Sequence, residues 1–266
     1  MLDFLQNATL SDPLLWALLI GVGLFVGFVN TVAGMATAIT YSLFMAMGMP
    51  INVANGSTRV GVMAQFLVTS AIFKKKGYLD MRLGWRCGIP VGLGALLGAE
   101  FAAVLAPKVI ETIMGVILPV MAMTLFIDTG RFGARSAHIF GEDGSVHIAF
   151  WKYIVFFLCG IYGGFTHAGV GLLVLFSSFF FFGIDLVQSN AIKQFAVVIY
   201  TPLALVIFIL HGQVNWPVAL VYSIGNIAGG VLGSYASIKG GAKLIKLFVA
   251  IAIFSMSGWL LWRNYC

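Results

Sequence analysis

Apolar residues run along this chain in long blocks with no alternation of apolar and polar positions. About 20 apolar residues cross a bilayer core as a helix, whereas barrel strands alternate. The blocks predict an all-α, polytopic transmembrane protein. A first long block covers Leu14–Gly48, and ordinary spans follow at Val53–Phe73, Trp85–Leu105 and Val109–Ile127. After a polar stretch the order returns as Tyr153–Gly183, Gln188–Leu210, Pro217–Ile238 and Leu244–Trp262. Each long block is broken by small and polar residues, around Asn30–Gly34 in one and Thr166–Gly171 in the other. The pattern gives eight spans plus two broken or re-entrant hairpins, or ten spans if the long blocks cross fully.

The second set of blocks repeats the first. A shift of 135 residues places Asn55 on Asn190, Gly77 on Gly212, Gly94 and Gly98 on Gly229 and Gly233, and Lys108 on Lys243. Chance hydrophobic similarity does not hold an asparagine, a loop and several glycines in register. The organisation read from this is an N-terminal tail (1–13), a first transmembrane repeat (14–127), a cytoplasmic linker (128–150) and a second repeat (151–266).

Charge gives the repeats a direction. The loop KKKGYLDMRLGWR carries Lys74, Lys75, Lys76, Arg82 and Arg86, while its counterpart HGQVNW has no Lys or Arg. Basic loops stay in the cytoplasm. The two loops therefore face opposite sides, and the repeats are inverted. If each interrupted block enters and leaves on one face, Arg131, Arg135 and Lys152, and Lys239, Lys243 and Lys246, also lie inside, with both termini periplasmic. The expected location is a bacterial inner membrane. A composition 61% hydrophobic and 9% charged excludes an ordinary soluble domain. The net charge of +6 belongs to these loops and not to a nucleic-acid surface. The three cysteines have no metal spacing, and no nucleotide loop or catalytic cluster is evident, so no cofactor, metal or enzyme activity is expected.

Inverted repeats with broken segments bind solutes near the bilayer midplane. Charges inside apolar spans are costly and are functional candidates. Arg59, with Asn55 one helical turn before it, and Lys193, with Asn190, occupy corresponding places in the two halves. Arg offers a fork to an oxyanion and Lys a point charge. Both would lie in the first turns of their spans, where free N–H groups favour anions. The bland alternative has both side chains reaching the headgroups. The breaks supply a second set: Asn30, Thr31 and Gly34, and Thr166, His167 and Gly169. Unwound backbone at depth must be buried or line a cavity. His167 could titrate near neutral pH, although a buried hydrogen-bonding role is the simpler reading. Gln65 and Tyr200 occupy matched positions, and the two Gly-xxx-Gly pairs are expected to pack helices closely. Glu100 lies near a span end, and Phe179–Phe182 is expected to be core or lipid-facing.

The layout of GFVNTVAGMATAI, the turn Gly48–Pro50, VANGSTRVGVMAQ and KKKGYLD resembles the TauE/SafE family of toluene sulfonate uptake permeases. GGFTHAGVGLL, SNAIKQ and HGQVNW resemble its second repeat. In the first break, Ala33-Gly34-Met35-Ala36 replaces the family's usual glycine run. The resemblance implies a secondary permease for small sulfur-containing anions such as sulfite or organosulfonates, with a small anion and the lipid bilayer as partners. Homo-oligomerisation stays open. The competing expectations are a cation-coupled carrier of another solute, which needs intramembrane carboxylates, and a membrane assembly factor that moves nothing.

Overall fold

The computed structural model describes residues 12–110, 112–113 and 148–265, with backbone only from 249 onward. The expected span Val109–Ile127, most of the linker, the N-terminal tail and Cys266 lie outside the described residues or at their edge. The described elements are helical: α1 (Pro13–Val32), α2 (Thr37–Ala46), α3 (Ile51–Lys75), α4 (Met81–Val104), α5 (Phe150–Thr166), α6 (Val170–Phe182), α7 (Leu186–Leu210) and α8 (Trp216–Tyr265). The chain is a multi-pass membrane protein. Among the described residues, α1, α4, α7 and the run Trp216–Phe248 of α8 are long and apolar enough to cross a bilayer. Within α8 the backbone leaves the helical region at Gly241, where φ is 57° and ψ −155°, so the two spans expected after Trp216 are two helices meeting at a kink.

Both long blocks break where the polar residues interrupt them. α1 ends at Val32 and α2 begins at Thr37; α5 ends at Thr166 and α6 begins at Val170. Asn30 spans the first break: its Nδ2 donates to Thr37 Oγ1 (3.0 Å) and its Oδ1 accepts from Ala36 N (2.7 Å). His167, at φ 53°, and Gly169, at φ 81°, turn the second.

The helices cross-pair between the halves. α1 packs on α8 and α5 on α4, while α3 packs on α8 and α7 on α4; α3 and α7 touch each other at the centre. Glycines make the outer seams. A Cβ on Gly94 or Gly98 would meet the carbonyls of Phe157 or Ile161 on α5 at 2.1 and 1.9 Å. On Gly229 or Gly233 it would meet those of Leu24 or Phe28 on α1 at 1.9 and 2.8 Å. The backbones approach because nothing but hydrogen stands between them, the close packing on which membrane helices rely. Away from its seam, α4 presents Leu93, Leu97, Phe101 and Val104, all about half exposed, as the face a lipid-solvated helix needs.

α3 departs from the apolar rule. It is 25 residues long, yet Asn55, Ser57, Thr58, Arg59, Gln65, Thr69 and Ser70 are all buried. Its polar residues are shielded from lipid by neighbouring helices, which is how a bilayer tolerates them.

Candidate functional site

Arg59 and Lys193 are fully buried and turn inward, so neither reaches a headgroup. Each crosses to the other half and meets the end of its broken helix. Arg59 Nη2 donates to the carbonyls of Gly163 (3.1 Å) and Gly164 (2.5 Å), near the end of α5. Lys193 Nζ donates to the carbonyls of Asn30 (3.0 Å) and Thr31 (2.9 Å), near the end of α1. A helix C-terminus leaves carbonyls without intrahelical partners and carries about half a negative charge. A side-chain cation in the bilayer answers both needs.

The asparagines work beside the cations. Asn55 Oδ1 accepts from Arg59 Nε (3.2 Å) and Tyr41 OH (3.0 Å), and its Nδ2 donates to the Phe165 carbonyl (2.7 Å). Tyr41 OH also donates to the Thr166 carbonyl. Asn190 Oδ1 accepts from Gln194 Nε2 (3.2 Å), and that nitrogen also reaches the Thr31 carbonyl (2.9 Å). Gln194 is the residue in direct register with Arg59 at the 135-residue shift. The charge of Lys193, one position away, is the stronger signal in the sequence, although the register points to Gln194. Tyr41 carried no such signal.

Gln65 and Tyr200, the matched pair, each serve the break of their own half. Gln65 Nε2 donates to the Gly27 carbonyl (3.0 Å) and Thr31 Oγ1 (2.7 Å). Tyr200 OH and His167 Nδ1 are 2.5 Å apart. His167 N donates to the Gly163 carbonyl (3.0 Å) that also accepts from Arg59, so the histidine and the guanidinium share one acceptor.

The tips of the two breaks touch. A Cβ on Gly34 would lie 2.8 Å from Gly171 Cα, and one on Gly171 2.7 Å from Gly34 Cα. Neither α2 nor α6 is capped by the side chain of its own N-cap residue, although Asn30 Oδ1 accepts from the N–H of Ala36 just before α2, and the two helix starts arrive together. Two cations and two such N-termini, each about half a positive charge, outweigh two C-termini of about half a negative charge each. The balance is strongly positive. Arg59 Nη1 and Asn190 Nδ2 are buried donors with no hydrogen-bond partner, and Arg59 Cζ lies 5.0 Å from the Phe208 ring centroid.

One expectation needs correcting. α3 begins at Ile51 and α7 at Leu186, so Arg59 and Lys193 lie about two turns inside their helices, not in the first turns. At α7 the free N–H groups are already taken: Asp185 Oδ1 accepts from Val187 N (2.7 Å) and Gln188 N (2.9 Å). Glu100 lies at the surface, 3.4 Å from His211 Nε2. Phe181 and Phe182 pack on Phe156, so this part of the aromatic run is core packing. Among the described residues no His, Cys, Asp or Glu cluster could hold a metal.

The chain resembles curated proteins along nearly its whole length. A probable membrane transporter protein of Haemophilus influenzae (strain Rd) is 26% identical over 245 residues, 91% of this chain and 93% of the relative. The probable membrane transporter protein ORF9 of a Sinorhizobium species is 22% identical, covering 91% of each chain. YfcA of Escherichia coli K12, another probable membrane transporter protein, is 22% identical over 99% of this chain and 96% of its own. No solved structure matches. The family described as sulfite exporter TauE/SafE matches residues 19–260. The chain belongs to that family and is a membrane transporter, not an enzyme.

Proposed function

We propose that this protein is a secondary permease for small sulfur-containing oxyanions, sulfite or organosulfonates, which it binds between two inverted repeats near the bilayer midplane. The observation that carries the reading is the pair of fully buried cations with no buried carboxylate among the described residues to neutralise them. An isolated buried charge is too costly to persist unless something compensates it. The helix ends compensate part, and an oxyanion would supply the rest. At 1.5 Å per residue Arg59 lies about 12 Å along α3, a helix about 37 Å long, and Lys193 is similarly placed on α7. In antiparallel α3 and α7 both cations would flank the midplane. The family name supports a sulfur oxyanion, whose several acceptor oxygens suit an Arg fork and backbone N–H groups. The residues assigned to the site are Asn30, Thr31, Gly34, Asn55, Arg59, Thr166, His167, Gly169, Asn190 and Lys193, with Tyr41 and Gln194 added. The surface position of Glu100 counts against a carrier coupled through an intramembrane carboxylate.

A second reading has its own support. Each cation caps a helix end, so both could serve architecture alone, with the anion held elsewhere. Uptake of labelled sulfite into proteoliposomes separates the two. Arg59→Lys keeps a charge at the end of α5 but removes the fork and the free Nη1. Under the permease reading it lowers uptake at least about tenfold, the loss of one charge-assisted hydrogen bond, while the protein stays folded. Normal uptake by Arg59→Lys would establish the architectural role. Absence of sulfite and sulfonate flux in the unaltered protein would end the permease reading.

A further inference from the structure

The two ends of the repeat are built differently, although the shift of 135 residues matches them position for position. A cavity of about 400 Å³ opens between the loop from α3 to α4 and the turn from α6 to α7, lined among others by Tyr78, Asp80, Gln188 and Ile192. Its counterpart lies where the loop from α7 to α8, Gly212–Asn215, faces the start of α3. There the loop is seated on the helix. A Cβ on Gly56 would stand 2.1 Å from the Gln213 carbonyl oxygen. Asn215 N donates to Ser57 Oγ (2.8 Å), and Gln213 Nε2 donates to the Ala103 carbonyl (2.8 Å). His211, at the head of the loop, meets Glu100.

The sequence explains the difference. Gly56 and Ser57 fall on Ala191 and Ile192. Glycine leaves room for a carbonyl to touch the helix, and serine offers an oxygen to a backbone N–H. Alanine carries the Cβ that would collide, and isoleucine has no acceptor. The loop from α3 to α4 therefore cannot dock on α7 as its twin docks on α3, and the space stays open.

We infer that the cavity at Tyr78–Ile192 is the open mouth of the transport path, and that the loop 211–215 is the gate shutting the other mouth, docked through Gly56 and Ser57. The inference rests on the permease reading and adds which face of the site is accessible. The open mouth lies beside Lys74, Lys75 and Lys76, which draw small anions toward it. For solute to leave by the other side, the loop must lift from Gly56.

Cysteine labelling with a membrane-impermeant thiosulfonate tests this. Cys266 is replaced by serine, and Cys87 and Cys159, both buried, are retained. Reactivity follows access, so in detergent Gln188→Cys, at a half-buried position of the cavity wall, should label at least about tenfold faster than Ser57→Cys, which is buried under the loop. In sealed vesicles Gln188→Cys should label only from the face that bears the lysine loop. Adding Gly56→Ala should unseat the loop and speed labelling at Ser57→Cys. Equal rates at Gln188→Cys and Ser57→Cys, or a Ser57→Cys rate unmoved by Gly56→Ala, would overturn the inference. Labelling does not depend on the solute carried. Unequal rates without sulfite flux would sink the permease reading alone; sulfite flux with equal rates would sink the gate alone.

Discussion

Arg59 and Lys193 each hold two carbonyls of buried residues. Charged hydrogen bonds of this kind contribute about 1.5–3 kcal/mol. Lys193→Thr should therefore lower the melting temperature in detergent, with a loss of that size in unfolding free energy. The register of the repeat makes a sharper prediction. Gln194 already reaches the Thr31 carbonyl, so Lys193→Thr combined with Gln194→Arg moves the cation one position and reproduces the Thr58–Arg59 pair of the first half. The double variant should recover most of the stability lost by Lys193→Thr alone. If it melts no higher than the single variant, the two halves do not use equivalent geometry at this point. Gln194 was legible from the register, whereas Tyr41 was not. It reaches Asn55 and Thr166 across distant parts of the chain, and no spacing rule marks such a contact.

At the scale of elements, the glycine seams decide how closely helices approach. Gly98 faces a carbonyl at 1.9 Å from where its Cβ would be, but Gly21 of α1 has nothing within 4 Å. Gly98→Ala should cost about 1–3 kcal/mol through overpacking. Gly21→Ala should be neutral or raise stability by up to about 1 kcal/mol, because alanine is the better helix former. Thermal unfolding of the two variants side by side checks both signs, and equal losses would show that the seam is not tight. The Gly-xxx-Gly spacing gave the seams away in the sequence. The helix starts were harder to place. Both starts fall two residues before the expected spans, α3 at Ile51 and not Val53, α7 at Leu186 and not Gln188. That shift adds about half a turn between each helix start and its cation.

For the whole molecule the governing physics is the bilayer, which admits helices and punishes uncompensated charge. The proposed orientation makes a topological prediction. A periplasm-active reporter fused after Cys266 should be active in the unaltered protein. Replacing Lys74, Lys75, Lys76, Arg82 and Arg86 with glutamine should reduce that activity by removing the charge bias that fixes the first half. An inactive reporter on the unaltered protein would reverse the assigned sidedness. That reversal would also place the lysine-bordered cavity on the periplasmic side.

The sequence by itself determined that the chain lives in a membrane as helices, where its long blocks break, and which residues match at a shift of 135. These follow from hydropathy, glycine and register, all local or periodic signals. Only the tertiary structure decided that each buried cation belongs to the opposite half's broken helix, that the breaks touch at Gly34 and Gly171, and that one loop is docked while its twin leaves a cavity. Those facts depend on which helix ends meet in the folded bundle. Residues more than a hundred positions apart are brought together by packing, and no pattern along the chain encodes that meeting directly.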